Sequence, residues 1–574
     1  MRVYQFHHIR ITRLYQNKFY LSTVRAYVKI EVTYQGGLMN KVAKYLNEHL
    51  SGEVASQDFA LSQVEVDNGL LARRPEMIVR AANMNDIRKV MRFCSQLAEK
   101  GHVLPVFVRG CGNDETGAAT NKGIAIDEKT YMNRVVGIDP RQQLIHAQAG
   151  ISLSAINATL STHKGLGLPR TSYVAEEGTI GGAINTAPSG ILSGAHGRFA
   201  DAVQQLEIVL SNGDVIQTGR ISRRELSKKK GLSTFEGEIY REIDNLISDN
   251  AELISQMDPA LPDTVGYSGI SRVKQKDGSF DLTPLFIGSQ GSLGVICEVI
   301  MKAQFIHPEY SVVAASYKKL SDAQSAVELA MKNKASAVEI IDGRFFRQAA
   351  VVGKVVEWAP KECFKGAVVL AIFDDFSDRA RNKAAKKLTR KLESSEAIDI
   401  KTLHLEEQDL FSLHSVLALA ETPGEPHMIT PRVFSGILMA PEKIDSFLSE
   451  LKSLESKYGV DLPVFVDFSG DYISLHPTFD SKKVSERQKI LQLLAEISQI
   501  VDKYEGSFAG FGGDGRLKAN FIYKNLPDDE KQLYAKVKKI FDPAGIFNPG
   551  IKAEAQPKEL AAELNAWCKL RNQA

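Results

Sequence analysis

The chain has 574 residues and nearly balanced charges, with 71 Lys or Arg against 69 Asp or Glu and a formal net charge of +2. Because acids and bases are interspersed, the sequence offers no basic surface for nucleic acid. Its length indicates three or four domains of roughly 150 residues. No apolar run approaches the roughly 20 residues of a membrane-spanning helix. Five scattered cysteines without Cys-x-x-Cys spacing argue against a disulfide framework and a zinc ribbon. We therefore expect a cytoplasmic protein, with a peripheral contact to the inner membrane left open.

The first 38 residues form a basic leader that has no acidic residue before Glu31. This composition is typical of a mitochondrial transit peptide, which would make the protein mitochondrial. A second interpretation is that residues 1–38 are not native, because the codons for residues 35–38 can contain a bacterial ribosome-binding sequence just ahead of Met39. Translation would then start at Met39 in a bacterium, where an amphipathic helix over residues 40–50 begins the folded chain.

The predicted elements of the first half alternate between strand and helix. An apolar strand at 77–80, a helix at 83–100 with one apolar face and a strand at 103–108 form a βαβ start that is typical of a dinucleotide-binding fold. The continuation is not typical of that fold, because it consists of short strands around one isolated helix. The strands are predicted at 123–126, 134–138, 144–147, 205–210 and 215–218, and the helix at 152–163. This order predicts an α+β domain over residues 75–305, preceded by a helical segment at 39–74.

A second α+β pattern begins after residue 311. Its strands are predicted at 312–317, 337–342 and 433–439, and its helices at 322–332, 379–394 and 443–458. They define a second α+β domain over residues 306–552, followed by a C-terminal surface helix within 553–574. Within the first domain, the basic and polar stretch 220–233 is typical of a solvated, flexible loop.

Four glycine-rich segments stand out in the first domain, at residues 109–117, 177–186, 194–201 and 286–296. Glycine serves where the backbone needs a positive φ or must approach a ligand closely. Successive N–H groups in such turns form a cradle for an anion, most often a phosphate. One such segment is a weak signal, since a structural turn explains it equally well. Four in this order are not explained by turns alone.

These segments resemble the FAD-binding domain of the p-cresol methylhydroxylase and vanillyl-alcohol oxidase superfamily (the PCMH type), and the D-lactate dehydrogenase and glycolate oxidase flavin subunits in particular. The resemblance is strong over residues 64–303 and weak over 311–552. Its usual first loop is Arg-Gly-Gly-Gly-Thr-Ser with a later glycine, and this chain matches it at Arg109, Gly110, Gly112 and Gly117. The resemblance implies that FAD is bound by Arg109, Gly110, Cys111, Gly112, Asn113, Asp114, Thr116, Gly117, Glu177, Gly178, Thr179, Gly181, Gly182, Asn185, Thr186, Gly190, His196, Gly197, Gly291, Gly294, Val295 and Ile296.

The first loop departs from the family pattern in the residues between its glycines. Asp114 and Glu115 replace small neutral residues, and two like charges 4 Å apart repel by about 4 kcal/mol at an effective dielectric of 20. We therefore expect both carboxylates to turn away from the diphosphate, towards ribose or solvent. Relatives with covalent flavin carry histidine at the position of Asn113, so the resemblance implies non-covalent FAD, with Cys111 as the alternative attachment point.

The second domain resembles the substrate-side cap of the same family, and residues 541–550 nearly match the family's terminal motif, which includes Asn548. The 2-hydroxy-acid enzymes also carry Gly-His-x-Gly-Asp-Gly-Asn-Leu-His and Glu-His-Gly-Ile-Gly, whose side chains bind a divalent metal. At the corresponding residues 467–476 and 510–518 this chain keeps only His476. A catalytic metal needs about three protein ligands, so we expect none, unless Asp467 and Asp471 rebuild a site.

The catalytic residues expected from this resemblance are His476, Arg432 and Asn548. His476 is the candidate base for a hydroxyl proton, or else a hydrogen-bonded structural histidine. Arg432 is a candidate clamp for a substrate carboxylate, or else a surface ion pair. The resemblance implies hydride transfer from the CH–OH group of D-lactate or another 2-hydroxy acid to flavin N5, with electrons passed to a quinone, cytochrome or carrier protein. The alternatives are a polyol or sugar oxidase or dehydrogenase, and a non-catalytic flavin-carrying accessory subunit.

Overall fold

The computed structural model describes residues 38–163, 165–169, 177–257, 263–307, 309–406, 410, 412–420, 425 and 427–573. The basic leader, apart from its last residue, lies outside the described residues, so both interpretations of it stay predictions. The described chain begins with a helix at Leu38–His49, which packs Ala43 and Leu46 into the core of the first domain.

The first domain starts with a four-stranded sheet. Across the sheet the strand order is Glu53–Ala55, Met77–Arg80, Ile124–Asp127 and Val106–Arg109. The last three strands are parallel to one another, and the first is antiparallel to its neighbour. The helix Met84–Glu99, whose N-cap Asn83 accepts a hydrogen bond from Asp86 N, provides the crossover between two of them. Ligands of such sheets bind beyond the carboxyl ends of the parallel strands, and the first glycine-rich segment begins at that end, at Arg109.

The second part of this domain is a five-stranded antiparallel sheet. Its strand order is Val135–Asp139, Leu144–Gln148, Val295–Lys302, Val203–Val209 and Val215–Gln217. The strand that comes last in the chain therefore lies in the middle of the sheet. The glycine-rich segment 286–296, which leads into this central strand, therefore lies beside the helix Ile180–Thr186 of the second glycine-rich segment. Gln290 N donates to Asn185 O at 3.1 Å between them.

The prediction of a flexible loop at 220–233 is wrong, because the structure has a helix at Arg223–Lys230. Ser222 and Glu225 form a capping box at its start, in which each side chain accepts from the other residue's backbone N–H. Leu226 is buried, and Lys230 forms an ion pair with Asp244 of the next helix. The basic residues of this stretch suggested a loop, but the stretch also contains the capping box that starts a helix.

The second domain is built on a seven-stranded antiparallel sheet. Its strand order is Asp399–Glu406, Glu309–Tyr317, Ala367–Phe373, Ala337–Asp342, Val464–Asp467, Tyr472–Leu475 and Ile437–Leu438. Most side chains on its central strands are buried. The strand predicted at 433–439 is shorter than expected, because Arg432–Phe434 forms a 3₁₀ turn immediately before it.

The remaining elements cover the two larger sheets or connect them. Two short antiparallel pairs join Leu166–Gly167 to Gln304–Phe305 and Met428–Ile429 to Phe479–Asp480. The other helices are Asp58–Ser62, Leu153–Ser161, Ser193–His196, Phe235–Asp249, Ala251–Gln256, Thr283–Phe286, Gln324–Lys332, Gly343–Val351, Asp378–Leu392, Ser415–Ala420, Pro441–Tyr458, Val484–Lys503, Ala519–Asn525, Asp528–Phe541 and Pro557–Gln573.

The final helix, Pro557–Gln573, is less superficial than the sequence predicts. Leu560, Leu564 and Cys568 are buried in the main core. Glu563 forms ion pairs with Arg73 and Arg516 of the two domains. None of the helices in the described part of the chain is both long enough and apolar enough to cross a membrane.

Candidate active site

Two adjoining cavities lie where the glycine-rich segments meet the second domain. They measure about 730 and 1130 Å³, counted out to where they open to solvent. Asn113, Asp114, Thr186 and Pro188 line both, so the cavities form one cleft with two arms. We call the smaller cavity the glycine arm, because the glycine-rich segments form its wall. The larger one is the cap arm, because residues of the second domain form most of its wall.

Neighbouring side chains crowd two glycines in the wall of the glycine arm. Gly112 has φ +79°, and a Cβ atom there would lie 2.3 Å from a guanidinium nitrogen of Arg109. A Cβ atom at Gly110 would lie 2.1 Å from Oγ1 of Thr179. Thr179 in turn caps the helix Ile180–Thr186 by accepting from Gly182 N at 3.2 Å. Because glycine has no side chain, backbone atoms form much of this wall, which is the arrangement that a diphosphate requires.

Most residues that the sequence predicts for FAD binding lie in this cleft. Those that line one or both arms are Gly110, Cys111, Gly112, Asn113, Asp114, Thr116, Gly178, Thr179, Gly181, Gly182, Asn185, Thr186, Gly190 and Gly291. Those that line neither arm are Arg109, Gly117, Glu177, His196, Gly197, Gly294, Val295 and Ile296.

The residues outside the cleft support its walls. Arg109 packs beneath Gly112 and donates to Ala119 O at 2.8 Å. Gly294 lies so close to Ile208 that a Cβ atom would be 2.6 Å from its Cγ2 atom, and Ile296 is buried in the sheet. His196 forms an ion pair with Asp374 of the second domain rather than facing either arm. A direct cofactor contact of these residues stays a prediction.

Asp114 is turned into the protein. Its Oδ1 atom accepts from Thr116 N and Ala118 N, both at 2.8 Å, and its Oδ2 atom accepts from Gln290 Nε2 at 2.8 Å. Asp114 is thus buried against donors of the protein, whereas the sequence analysis expected its carboxylate to face ribose or solvent. Glu115 contributes to the wall of the cap arm and not to that of the glycine arm.

Gln290 is a central residue that sequence reasoning missed. Its Nε2 atom also donates to Thr116 Oγ1 at 2.8 Å and to Gly512 O at 3.3 Å, while its Oε1 atom accepts from Gly515 N at 2.8 Å. One amide therefore joins the first loop to the segment at 510–518 of the second domain. Its backbone has φ +54°, in the left-handed region that suits glycine. The glycine-rich pattern of this segment indicates its glycines but not the role of Gln290.

Asn548 lines neither arm, and its catalytic role stays a prediction. Its Nδ2 atom donates to Ala118 O at 2.9 Å and Gln290 O at 2.8 Å, and its Oδ1 atom accepts from Asn121 at 2.9 Å. The residue is 1% exposed and has φ +39°. Asn548 is therefore a positioning residue that holds two glycine-rich segments together.

His476 and Arg432 line the cap arm, and their catalytic roles stay predictions. The Nε2 atom of His476 is 2.8 Å from Ser474 Oγ, which is 2.8 Å from Ser435 Oγ. Burial, with a contribution from the positive charge of Arg432, lowers the pKa of His476 to about 3. His476 is therefore neutral near pH 7 and ends a chain of two hydroxyl groups, which favours hydrogen bonding over proton acceptance.

Lys518 is a second cation in the cap arm, and the sequence analysis did not single it out. It is 2% exposed and donates to Ser435 O and to Phe508 O. Burial lowers the pKa of Lys518 to about 8, although Glu115 opposes this change. Its only signal in the sequence is a lysine three residues after the glycine-rich stretch 510–515.

A buried group of Glu339, His414 and Asp467, also missed except for Asp467, lines another part of the cap arm. His414 Nε2 lies 2.8 Å from Glu339 Oε2, and Glu339 is directly opposite Asp467 on the neighbouring strand. Burial and the charge of Glu339 raise the pKa of Asp467 to about 7. Burial alone would lower the pKa of His414, but the Glu339 carboxylate raises it above its ordinary value.

The residues present do not fit a catalytic metal. Within the described ranges, no group of three His, Cys, Asp or Glu side chains is arranged to hold a metal ion. Asp467 accepts from Ser469 N at 2.9 Å and Gly470 N at 3.1 Å, and Asp471 does not line the cap arm.

Comparison with known proteins agrees with this architecture. A family described as an FAD binding domain matches residues 75–219, and one described as FAD linked oxidases, C-terminal domain, matches residues 306–551. The chain belongs to the FAD-linked oxidases and has a PCMH-type FAD-binding domain followed by their C-terminal domain. Its cofactor is FAD, held without a covalent bond, as is typical of the group.

Individual relatives are distant. The chain is 23% identical to a D-2-hydroxyglutarate dehydrogenase of Pseudomonas putida over 88% of its own length, but it spans about half (51%) of that protein. It is 25% identical to glycolate oxidase subunit GlcD of Bacillus subtilis, covering 85% of this chain and 91% of that one. A D-lactate dehydrogenase of Archaeoglobus fulgidus is 22% identical, with coverage of 83% and 90%.

The fold is also similar to that of a solved enzyme. The 4-ethylphenol oxidase of Gulosibacter chungangensis superposes with a TM-score of 0.63 at 14% identity, covering 90% of this chain and 97% of that one. At this identity the likeness concerns the fold alone.

The substitution Gly112→Ala tests the wall of the glycine arm. Its Cβ atom would meet the Arg109 guanidinium group and would strain a backbone at φ +79°. We expect the Kd for FAD to rise by roughly tenfold or more, measured by quenching of flavin fluorescence on titration into the apoprotein. Gly137→Ala is the matched control, because a Cβ atom there meets nothing within 4 Å. Equal affinities for the two variants would contradict this view of the arm.

The substitution Gln290→Glu tests the link between the two domains. It keeps the shape of the side chain but places a carboxylate oxygen against Asp114 in place of the donor. We expect the free energy of unfolding at pH 7 to fall by about 2–3 kcal/mol, with part regained at lower pH as one carboxyl is protonated. Urea unfolding measures the effect. Gln492→Glu, at an exposed position of the helix Val484–Lys503, should change stability by less than about 0.5 kcal/mol.

Proposed function

We propose that this chain oxidises the CH–OH group of a small 2-hydroxy acid, with D-lactate as the first candidate. The observation that carries the proposal is the pair of cationic side chains, Arg432 and Lys518, in an arm that opens directly onto the glycine arm. The relatives named as D-2-hydroxyglutarate and D-lactate dehydrogenases support the same substrate class.

The residues of the cap arm have separate tasks in this proposal. Arg432 presents a planar guanidinium group that binds a carboxylate with two hydrogen bonds. Lys518 adds a second positive charge from the wall near Ser435. Ser435 and Ser474 offer hydroxyl groups to the substrate, and the neutral His476 holds Ser474 in place. When bound, FAD supplies the acceptor for the hydride that leaves the substrate carbon.

A specific observation supports each of the two alternative functions. The carboxyl groups of Glu115, Glu339 and Asp467 in the cap arm suit the hydroxyl groups of a polyol or sugar. The lack of a metal-binding group within the described residues suits a flavin-carrying accessory subunit. The electron acceptor, whether quinone, cytochrome or carrier protein, stays a prediction, as do the cytoplasmic location and the peripheral membrane contact.

Anaerobic bleaching of the bound flavin separates these functions. The full chain, loaded with FAD, is mixed with D-lactate, D-2-hydroxyglutarate and glycolate, and separately with a set of polyols. We expect one of the 2-hydroxy acids to bleach the flavin, with L-lactate as the matched control for D-lactate. Bleaching by polyols alone supports the polyol function, and a flavin that keeps its colour throughout supports the accessory subunit.

Arg432→Leu tests the carboxylate clamp. Loss of a charge-assisted pair of hydrogen bonds weakens binding by about 1.5–3 kcal/mol, so we expect the apparent Kd of the bleaching hydroxy acid to rise about tenfold to a hundredfold. The dependence of the bleaching rate on substrate concentration measures it. Arg224→Leu, on the exposed helix Arg223–Lys230, is the control and should leave the Kd unchanged.

A further inference from the structure

We propose that His414, oriented by Glu339, accepts the hydroxyl proton of the substrate during the oxidation. The inference rests on the proposed function and assigns the base to a residue that neither the sequence motifs nor the resemblance indicated. It replaces His476 in that role.

The position of His414 fits a base at the wall of the cap arm. The side chain is 2% exposed and lines this arm, and its ring packs edge-on against Phe465 with centroids 5.6 Å apart. Its Nε2 atom is engaged by Glu339 at 2.8 Å. Its Nδ1 atom is buried and has no hydrogen-bond partner among the described residues. One ring nitrogen is thus held by the protein, and the other is left for a ligand.

The strand register explains why a carboxylate faces this histidine. Glu339 lies in the buried strand Ala337–Asp342, directly opposite Asp467 on the strand Val464–Asp467. Two neighbouring buried carboxyl groups disfavour double ionisation, and a positively charged imidazolium beside them lowers that cost. The protonated form of His414 is therefore stabilised where it forms. A carboxylate that orients an imidazole and stabilises its protonated form is a recurring arrangement in enzymes.

The two histidines of the cap arm differ in the charge of their neighbours. His476 lies close enough to Arg432 for that cation to disfavour its protonated form, and its Nε2 atom is already engaged by Ser474. His414 lies beside Glu339 and Asp467, which favour its protonated form. A proton released in the cap arm is therefore held better at His414 than at His476.

The step balances as follows. The substrate O–H bond breaks and its proton goes to Nδ1 of His414. The adjacent C–H bond breaks with its electron pair, which leaves as hydride to the bound flavin, and the carbon becomes a carbonyl. The substrate loses two electrons, the flavin gains them, and the imidazolium of His414 remains paired with Glu339.

The charges around His414 fix the sign of the pH dependence. The strands packed against it present Glu339 and Asp467, both acidic. The other titratable groups lining the arm are Asp114, Glu115, Arg432, Tyr472, His476 and Lys518. Because the base must start neutral, the rate rises as pH increases through the pKa of His414, which Glu339 raises above 6.5. Proton acceptance by His476 would instead complete this rise below about pH 4, since burial lowers its pKa to about 3.

The experiment follows flavin bleaching by stopped flow in the FAD-loaded full chain, with D-lactate and D-2-hydroxyglutarate, across pH. We expect His414→Asn to lower the rate constant by roughly 10²- to 10⁴-fold. Glu339→Gln should move the rising limb of the pH profile to lower pH, because it removes the charge that raises the pKa of His414. His102→Asn, at an exposed position, is the control and should bleach like the wild type.

A second readout does not depend on turnover. The chain has 12 histidines, and the imidazole signal that disappears in His414→Asn identifies His414 in NMR spectra of ¹³C-histidine-labelled protein. We expect its pKa above about 6.5 in the wild type and lower in Glu339→Gln. A pKa below that value in the wild type overturns the inference.

The outcomes separate this inference from the proposed function. If the wild type bleaches and His414→Asn bleaches at the same rate with the same pH profile, the inference fails and the proposed function stands. If no 2-hydroxy acid bleaches the wild type, the proposed function fails and the assignment of His414 as base fails with it.

Discussion

The cleft depends on how one buried amide satisfies its hydrogen bonds. Gln290 directs its donors to Asp114, Thr116 and Gly512 and its acceptor to Gly515 N. A buried carboxylate is tolerated only when it is hydrogen-bonded, so the amide stabilises the acid that a phosphate-binding loop would otherwise exclude. The same side chain holds the second domain against the first loop. One side chain therefore connects segments that line both arms.

Electrostatics divides the cap arm into regions of opposite charge. Arg432 and Lys518 make one part positive, while Glu339 and Asp467 make another part acidic. The two histidines of the arm therefore differ in basicity. Burial and the Arg432 cation lower the pKa of His476, whereas the Glu339 carboxylate raises the pKa of His414. This separation suits a reaction in which an anionic group must be held while a proton is removed nearby.

The backbone of the site could be predicted from the sequence, because the steric demands behind it are local. Gly110 and Gly112 are glycines because any side chain would collide with a neighbour, and such requirements leave a readable motif. Positions such as His196 and Ile296 could not be separated from true lining residues, because proximity in a motif does not tell which way a side chain points. His196 faces Asp374, and Ile296 faces the core.

The residues that sequence reasoning missed come together only through tertiary packing. Glu339 and Asp467 are neighbours because two strands pair in one register, and a shift by one residue would separate them. Lys518 reaches the cap arm because its ammonium group binds two carbonyl oxygens of other segments. The available signal was a charged residue between apolar residues of a buried strand, as at Glu339 in Ala337–Asp342. Such a residue indicates a paired or functional charge but does not name its partner.

The contacts of Asn548 also bear on the order in which the protein is assembled. Its side chain meets Asn121 across 427 positions of the chain, and it also fixes the carbonyl group of Gln290. During synthesis, the glycine-rich segments emerge from the ribosome long before this residue does. A nascent chain can form both sheets of the first domain, yet the cleft is incomplete until nearly all of the polypeptide is made. Cofactor capture is therefore expected to be a late event, which couples flavin loading to completion of the whole fold.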